Sequence, residues 1–295
     1  MTNSEWLAQQ FEDNRGHLRG VAYRMLGSLS EADDAVQECW LRLRRSETEK
    51  VENLRAWLTT VVARVCLDML RSRKSRREEP LEAPEPTGSA ATTIPHHAPD
   101  PETEAMMADS VGLATLVVLD RLNPAERLAF VLHDLFDIPF EDIARIAGRT
   151  SESVRQLASR ARRRVRGATD VSPEIAQQRS VVNEFLNALR AGDVPRLVAL
   201  LTPEFSVNAD SLAAPGVRPE IHGAEAWAKE AVRTARGARF ATAALIDGTV
   251  GVVIAPRGRL FRVLRLTFAG GRIAHLEVIA DPETLQKLDL AAVPD

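Results

Sequence analysis

The densest chemistry in this chain is arginine at helical spacing. Between Gly148 and Arg166 there are seven arginines (149, 155, 160, 162, 163, 164 and 166) and one acid, Glu152, a local charge of +6 (7 − 1). Planar guanidinium groups pair bidentately with phosphates and with the guanine edge, so an arginine-rich helix face is suited to nucleic acid. A solvated face usually mixes signs. A second cluster ends another helical stretch. Residues 53–77 hold Arg55, Arg64, Arg71, Arg73, Lys74, Arg76 and Arg77 against Asp68 alone, again +6 (7 − 1). Two or three cations would satisfy a helix C-terminus. Five within seven residues point to a polyanion.

The elements that must position these groups follow from apolar periodicity. Phe140, Ile143, Ala144, Ile146 and Ala147 mark one face of a short helix, and Gly148 supplies a tight turn. Thr150 or Ser151 caps a second helix, whose inner face is Val154, Leu157, Ala158, Ala161 and Val165. Its outer face carries Ser153, Arg155, Gln156, Ser159, Arg160, Arg162, Arg163 and Arg164. Helix, short turn and basic amide-bearing helix form a helix-turn-helix pattern. In residues 53–77, Leu54, Trp57, Leu58, Val61, Val62, Val65, Met69 and Leu70 make the apolar stripe.

Upstream, residues 5–26 read as one helix or two, ended by Gly27, with Trp6 and Phe11 on the apolar side. Ser30 is placed to cap the next helix, SEADDAVQECWLRLRR, whose acids precede its arginines as the dipole prefers. Its buried side is Ala32, Ala35, Val36, Cys39, Trp40 and Leu43. Asp33, Asp34, Gln37 and Glu38 remain as an exposed acidic and polar ridge.

Residues 78–110 contain six prolines, eight acids and no Lys or Arg, which makes them an acidic linker. His96 and His97 lie within it without other ligands. Residues 111–168 form a compact helical domain ending in the helix-turn-helix. From residue 173 the texture changes to helices, then β-rich runs at 239–246, 249–255, 259–268 and 272–280, punctuated by Asp247-Gly248, Arg257-Gly258 and Gly270-Gly271. A closing helix is expected over 282–290. This is an α+β domain, 173–292, with a curved antiparallel sheet around helices.

At 295 residues the chain suits two or three domains. Its net charge of −3 conceals the basic patches, and residues 171–295 balance at 14 basic and 14 acidic. Cys39 and Cys66 sit apart among apolar neighbours, the pattern of buried reduced thiols. No metal site or other cofactor is expected. No apolar run is long enough to span a membrane and no signal pattern opens the chain, so a cytoplasmic protein is expected.

These blocks carry a resemblance. SEADDAVQECWLRL, NLRAWLTTVVARVCLDMLRSRKSR and FEDIARIAGRTSESVRQLASRARRRV, in that order, resemble an extracytoplasmic-function (ECF) sigma factor of the sigma-70 superfamily. The implied parts are a region-two domain at 1–77, the linker, and a region-four domain at 111–168, all-α. SVVNEFLNALRAGDVPRLVALL, DGTVGVVIAP and GGRIAHLEVIADPETLQKL resemble a SnoaL-like domain of the ketosteroid-isomerase-like cone fold. One sigma-factor subgroup carries such an extension. REEPLEAPEP lacks the tryptophan that this subgroup shows at the start of the linker, and NADSLAAPGVRPEIHG has one glycine, Gly216, where a glycine-rich loop is usual.

The resemblance implies roles. Asp33, Asp34, Gln37 and Glu38 would dock on the clamp helices of RNA polymerase core. Residues 53–77 would engage and melt the minus-ten promoter element, with Arg64, Asp68, Arg71, Lys74 and Arg76 toward DNA. The helix from Ser151 would enter the major groove at the minus-thirty-five element. There Ser153, Arg155, Gln156, Ser159 and Arg160 are candidates for base and phosphate contacts, and Arg162, Arg163 and Arg164 for phosphates. The cone domain would regulate promoter binding in cis, with an unknown small ligand as one possible signal.

Two rival readings come from other classes. Related cone folds isomerise or cyclise small ketones, and Asp210, His222, His275 and Glu277 are the titratable residues available. Alternation along RIAHLEV puts Ile273, His275 and Glu277 on one face, which leaves the last two facing solvent, and no acid/base pair is set by spacing. The chain is therefore read as no enzyme. A conventional small-molecule-responsive repressor would explain the helix-turn-helix but not the basic helix at 53–77.

Overall fold

The computed structural model describes residues 3–46, 53–78, 112–167, 172–213 and 220–293, so the 78–110 linker lies almost wholly outside it. The chain forms two compact units: residues 1–110 with 122–161, and residues 111–121 with 162–295.

In the first unit, α1 (Asn3–Leu26), α2 (Leu29–Arg45) and α3 (Leu54–Glu78) pack on one another. α1 is one uninterrupted helix. Trp6 stays 45% exposed, while Phe11 is buried and its ring meets Trp40 at 5.0 Å. Ser28, not Ser30, caps α2: its Oγ accepts from the Glu31 backbone N–H, and Ser30 is already in the first turn. Asn53 caps α3 by accepting from the Ala56 N–H. Cys39 and Cys66 are fully buried, and burial pushes both thiols up to about 12.

The same unit contains α5 (Pro124–Phe130), continued as a π-helical turn over Val131–Leu135, then α6 (Phe140–Ala147) and most of α7 (Ser151–Arg166). Asn123 and Pro124 start α5 as cap and first residue; the Asn123 side chain accepts from the Ala125 and Glu126 N–H groups.

In the second unit, a seven-stranded sheet runs β2-β1-β6-β5-β4-β3-β7. Its strands are β1 (Leu201–Ala209), β2 (Glu220–His222), β3 (Ala241–Ile246), β4 (Thr249–Ile254), β5 (Arg262–Ala269), β6 (Arg272–Ile279) and β7 (Leu290–Ala292). β3 to β6 form the expected antiparallel meander, and β1 joins β6 in parallel. α8 (Pro173–Ala191) packs on β3 and β4, and α10 (Ala224–Thr234) on β1; α9 (Val194–Ala199) packs on α8, α10 and β1. Phe185, Leu197, Phe205, Val252, Leu276 and neighbours fill one core, with Trp227 stacked on Phe185 at 5.8 Å. This is an α+β domain, with its helices packed on one sheet, as the sequence leads one to expect.

Two sequence expectations differ here, and one strand was not expected. The closing helix is shorter, α11 (Pro282–Lys287), because Leu288 turns extended and β7 pairs with β3. β2 was not legible: three residues are too short a run to show a period. The alternation along β6 also breaks. Ile273 pairs with Phe268 and His275 with Thr267, so Ala274 is an extra residue, and this bulge turns both Ile273 and Leu276 into the core.

α4 (Leu113–Arg121) also belongs to the second unit. It packs on β7 and β3, and both ends of the Arg121 guanidinium donate to α11-side carbonyls, those of Leu285 and Leu288. The sequence reading places residues 111–121 with the helix-turn-helix domain. Ala114, Leu116, Val117, Val118 and Leu119 are buried around most of the α4 cylinder, a demand that a sheet face satisfies better than one neighbouring helix.

Candidate nucleic-acid and polymerase interfaces

The helix-turn-helix forms as the sequence predicts. Gly148 closes α6 at φ 67° and ψ 42°, a left-handed conformation that a residue with a Cβ adopts at a cost. Arg149 and Thr150 complete the turn. Thr150 is the cap, its Oγ1 accepting from the Ser153 N–H at 3.2 Å. Val154, Leu157, Ala158, Ala161 and Val165 are buried, each larger side chain contributing roughly 1.5–3 kcal/mol by leaving water.

That burial aims the opposite face outward. Arg155, Gln156, Ser159, Arg160, Arg163 and Arg164 are exposed, and Ser151, Ser153 and Arg162 are half-buried. The side chains are pre-positioned. Arg155 lies over the Phe140 ring at 5.6 Å and pairs with Glu141 at 3.0 Å, and Gln156 reaches Glu152 at 3.5 Å. Arg160 Nε donates to Oε1 of Glu126, a carboxylate only 3% exposed.

On α3, Arg55, Arg64, Asp68 and Arg71 are all exposed. Arg55 contacts the His17 ring at 3.2 Å, and Asp68 and Arg71 form a loose pair at 3.9 Å. Burial, then the nearby Arg55 cation, hold His17 below its ordinary value. Arg73 turns inward instead. Its guanidinium pairs with Glu31 at 2.5 Å and reaches the Leu26 carbonyl, so it anchors α3 to the α1–α2 junction. The side chains of Lys74, Arg76 and Arg77 lie outside the described ones.

The ridge on α2 is present as expected. Asp33 pairs with Arg19 at 2.8 Å and Glu38 with Arg42 at 2.9 Å. Asp34 and Gln37 are exposed, with no side-chain bond among the described residues. Leu41, one turn beyond Gln37, is also exposed and adds an apolar side chain to this surface, which the sequence reading passed over as part of the helix.

Three of the four titratable candidates of the second unit are held by structural partners. Asp210 is desolvated, which raises its pKa, but backbone N–H groups of Ala280, Asp281, Ala213 and Leu212 outweigh this and the net direction is down. His275 Nδ1 meets Ser206 Oγ at 2.8 Å. Glu277 pairs with Arg265, which also pairs with Asp247 at 2.9 Å. The described part of His222 is its backbone, paired with Ser206. A small cleft of about 140 Å³ opens where the start of α8 meets the β5–β6 hairpin, lined by Glu174, Gln177, Gln178, Val181, Phe268 and the two hairpin glycines; none of the four titratable candidates lines it.

Sequence reasoning missed Glu126 and Arg127. The spacing from Asn123 to Glu126 is that of a capping box and was readable. The burial of Arg127, 2% exposed, was not, since it depends on what packs over it.

Comparison with known proteins finds matches to both helical regions. Residues 10–76 match the Sigma-70 region 2 family and residues 113–165 the Sigma-70, region 4 family. The chain is 36% identical over 297 residues to the ECF RNA polymerase sigma factor SigJ of Mycobacterium tuberculosis, covering 93% of this chain and 91% of that one. It is 34% identical over 293 residues to the probable ECF RNA polymerase sigma factor SigI of the same species, covering 98% of each. The crystal structure of Mycobacterium tuberculosis SigJ superposes at a TM-score of 0.44 with 31% identity, covering 94% of this chain and 98% of that one. Identity sustained across nearly the whole length, through both helical regions and the sheet domain alike, establishes that the chain belongs to the ECF RNA polymerase sigma factors.

Proposed function

We propose that this protein joins RNA polymerase core and directs it to promoters through two DNA-reading helices, α3 and α7, under the control of its own C-terminal domain. The observation that carries this is the exposed arginine face of α7, held by the buried stripe beneath it and set beside a second basic helix in a separate sequence block. α2 offers core polymerase the Asp33, Asp34, Gln37 and Glu38 ridge with Leu41 beside it. α3 takes the minus-ten element through Arg55, Arg64, Asp68 and Arg71, continued by Lys74, Arg76 and Arg77. Arg73 acts here as a positioning residue. α7 reads the minus-thirty-five element through Ser153, Arg155, Gln156, Ser159 and Arg160, with Arg162, Arg163 and Arg164 on phosphates.

Control by the C-terminal domain is supported by α4. This helix lies within the region-four match yet packs on the sheet, and only Leu122 and Asn123 separate it from α5. A shift of α4 on the sheet therefore pulls directly on the start of the helix-turn-helix domain. The domain is read as non-catalytic, since Asp210, His275 and Glu277 are each engaged in structural bonds.

The test is run-off transcription by core RNA polymerase with the full chain, on promoters selected by core-dependent binding. Specific transcripts are expected. Their absence, with tight DNA binding in the absence of polymerase, overturns the reading in favour of a repressor. Arg121→Ala, which frees α4 from the Leu285 and Leu288 carbonyls, is expected to change transcript yield without changing the start site.

A further inference from the structure

The even balance of charge in the C-terminal domain hides a segregation. Residues 231–276 carry eight arginines and one acid, Asp247, a local charge of +7 (8 − 1). Some of these arginines are held in ion pairs. Arg233 binds Glu230 at 2.7 Å, and Arg265 binds both Asp247 and Glu277. Arg239 and Arg259 differ: both are exposed, and neither side chain has an ion pair or hydrogen bond among the described residues. The side chains of Arg236 and Arg257 lie outside the described ones.

Strand pairing brings the unpaired arginines to one end of the sheet. Ala241 of β3 lies opposite Ile254 of β4, and Ile254 opposite Arg262 of β5, so Ala241 and Arg262 are two strand spacings apart, about 10 Å. A 3-10 turn (Ala235–Phe240) ends in Arg239 and Phe240 just before β3, and a second (Pro256–Gly258) follows β4 and leads into Arg259. The Ala255 N–H donates to the Phe240 carbonyl and the Phe261 N–H to the Ile254 carbonyl, both at 2.9 Å. Arg190 of α8 braces the first turn by donating to the carbonyls of Ala238 and Ala241. Two of the cations lie against rings: the Arg239 guanidinium is 4.6 Å from the centre of Phe240, and that of Arg262 is 4.9 Å from the centre of Phe261. Phe261 is itself 50% exposed. Arg262 Nε is buried without a hydrogen-bond partner, and burial lowers the pKa of this guanidinium against a smaller opposing effect of the Asp210 charge.

An open aromatic face among unpaired guanidinium groups is the combination that holds single-stranded nucleic acid. The cations follow the phosphates, and the ring stacks on a base whatever its identity. A duplex keeps its base faces stacked inside, so it would use the arginines and leave Phe261 idle. An acidic peptide would likewise use the charge alone. We propose that this end of the sheet binds single-stranded nucleic acid, with Phe261 stacked on a base and Arg239, Arg259 and Arg262 on the flanking phosphates. A patch of this width holds only a few nucleotides, so it adds to contacts made by other elements. The proposal stands apart from the sigma-factor reading, since neither promoter nor polymerase enters it.

The test titrates the full chain against short fluorescent oligothymidylate and oligouridylate, neither of which contains a promoter element, and against a duplex of random sequence. Phe261 lies outside the domain core, so its variants keep the fold. Phe261→Ala is expected to weaken single-strand binding about tenfold, the loss of one stacked base, while Phe261→Trp retains it. Arg239→Gln with Arg259→Gln is expected to reduce the slope of log K against log salt by about 1.4, two single-strand phosphate contacts. Duplex binding by the Phe261 variants stays unchanged. A loss confined to oligothymidylate or to oligouridylate supports the site and names its occupant as DNA or RNA. Unchanged single-strand affinity of Phe261→Ala overturns the proposal, and so does an equal loss for the duplex, which would make the patch a general phosphate surface. Because α3 and α7 are also basic, 5-iodouracil in the oligonucleotide locates the contact by photo-cross-linking. Cross-links to the peptide that contains Phe261 support the site, and cross-links confined to α3 and α7 overturn it.

Discussion

Arg160 on α7 and Glu126 on α5 form an ion pair at 3.2 Å in which one partner is 48% exposed and the other 3%. The exposed end faces the surface where DNA is proposed to lie, and the buried end belongs to the core beneath it. Removing the arginine therefore withdraws a countercharge from a desolvated carboxylate. Arg155 differs, because its partners Glu141 and Glu152 are both exposed.

Arg160→Ala is accordingly expected to lower both stability, by about 1–3 kcal/mol, and promoter affinity. Arg155→Ala is expected to lower affinity with stability unchanged within about 0.5 kcal/mol. Thermal unfolding beside promoter titration separates the two. Equal melting temperatures for the two variants would remove the structural role of Arg160.

Arg163 is exposed and assigned to phosphate. Arg163→Ala should weaken binding to all promoter sequences by a similar factor and reduce the slope of log K against log salt by about 0.9. A change confined to one promoter base would reassign it to sequence readout.

Asp34 is exposed and unpaired among the described residues, so reversing its charge leaves the fold alone. Asp34→Arg is expected to cost core-polymerase binding at least about tenfold, or 1.4 kcal/mol, with an unchanged circular-dichroism melt. Retained binding would move the docking surface off this ridge.

Asp210 accepts four backbone N–H bonds that tie the end of β1 to the β6–α11 corner. Its native pKa is lowered, so its contribution is present above the ordinary carboxylate range and lost as pH falls through the native value. Wild type should lose stability on acidification below pH about 4, and Asp210→Asn should flatten that part of the profile. Parallel profiles for the two proteins would rule out this link.

Much of the first unit was legible as sequence, because its helices advertise themselves locally. A stripe at Val154, Leu157, Ala158, Ala161 and Val165 requires burial on one side, which leaves the arginines outside whatever the partner is. Gly148 and Thr150 mark a turn and a cap by chemistry that acts over three or four residues. The hairpins at Asp247-Gly248 and Gly270-Gly271 were equally readable, since both residues of each turn need positive φ, and have it.

Other features depended on residues distant in the chain. Arg73 reads as one more cation in a basic run, yet Glu31, 42 residues earlier, turns it inward. The α4 helix follows the linker and precedes the helix-turn-helix, yet its apolar surface is satisfied by β3 and β7, more than 100 residues later. The bulge at Ala274 cancels an alternation that the sequence displays in full. The sequence by itself determined which residues form the helices, the turns and the basic faces, because those preferences are set by near neighbours. Which charges face inward and which body holds α4 were decided only by the tertiary structure, because burial and charge pairing depend on what the rest of the chain brings alongside.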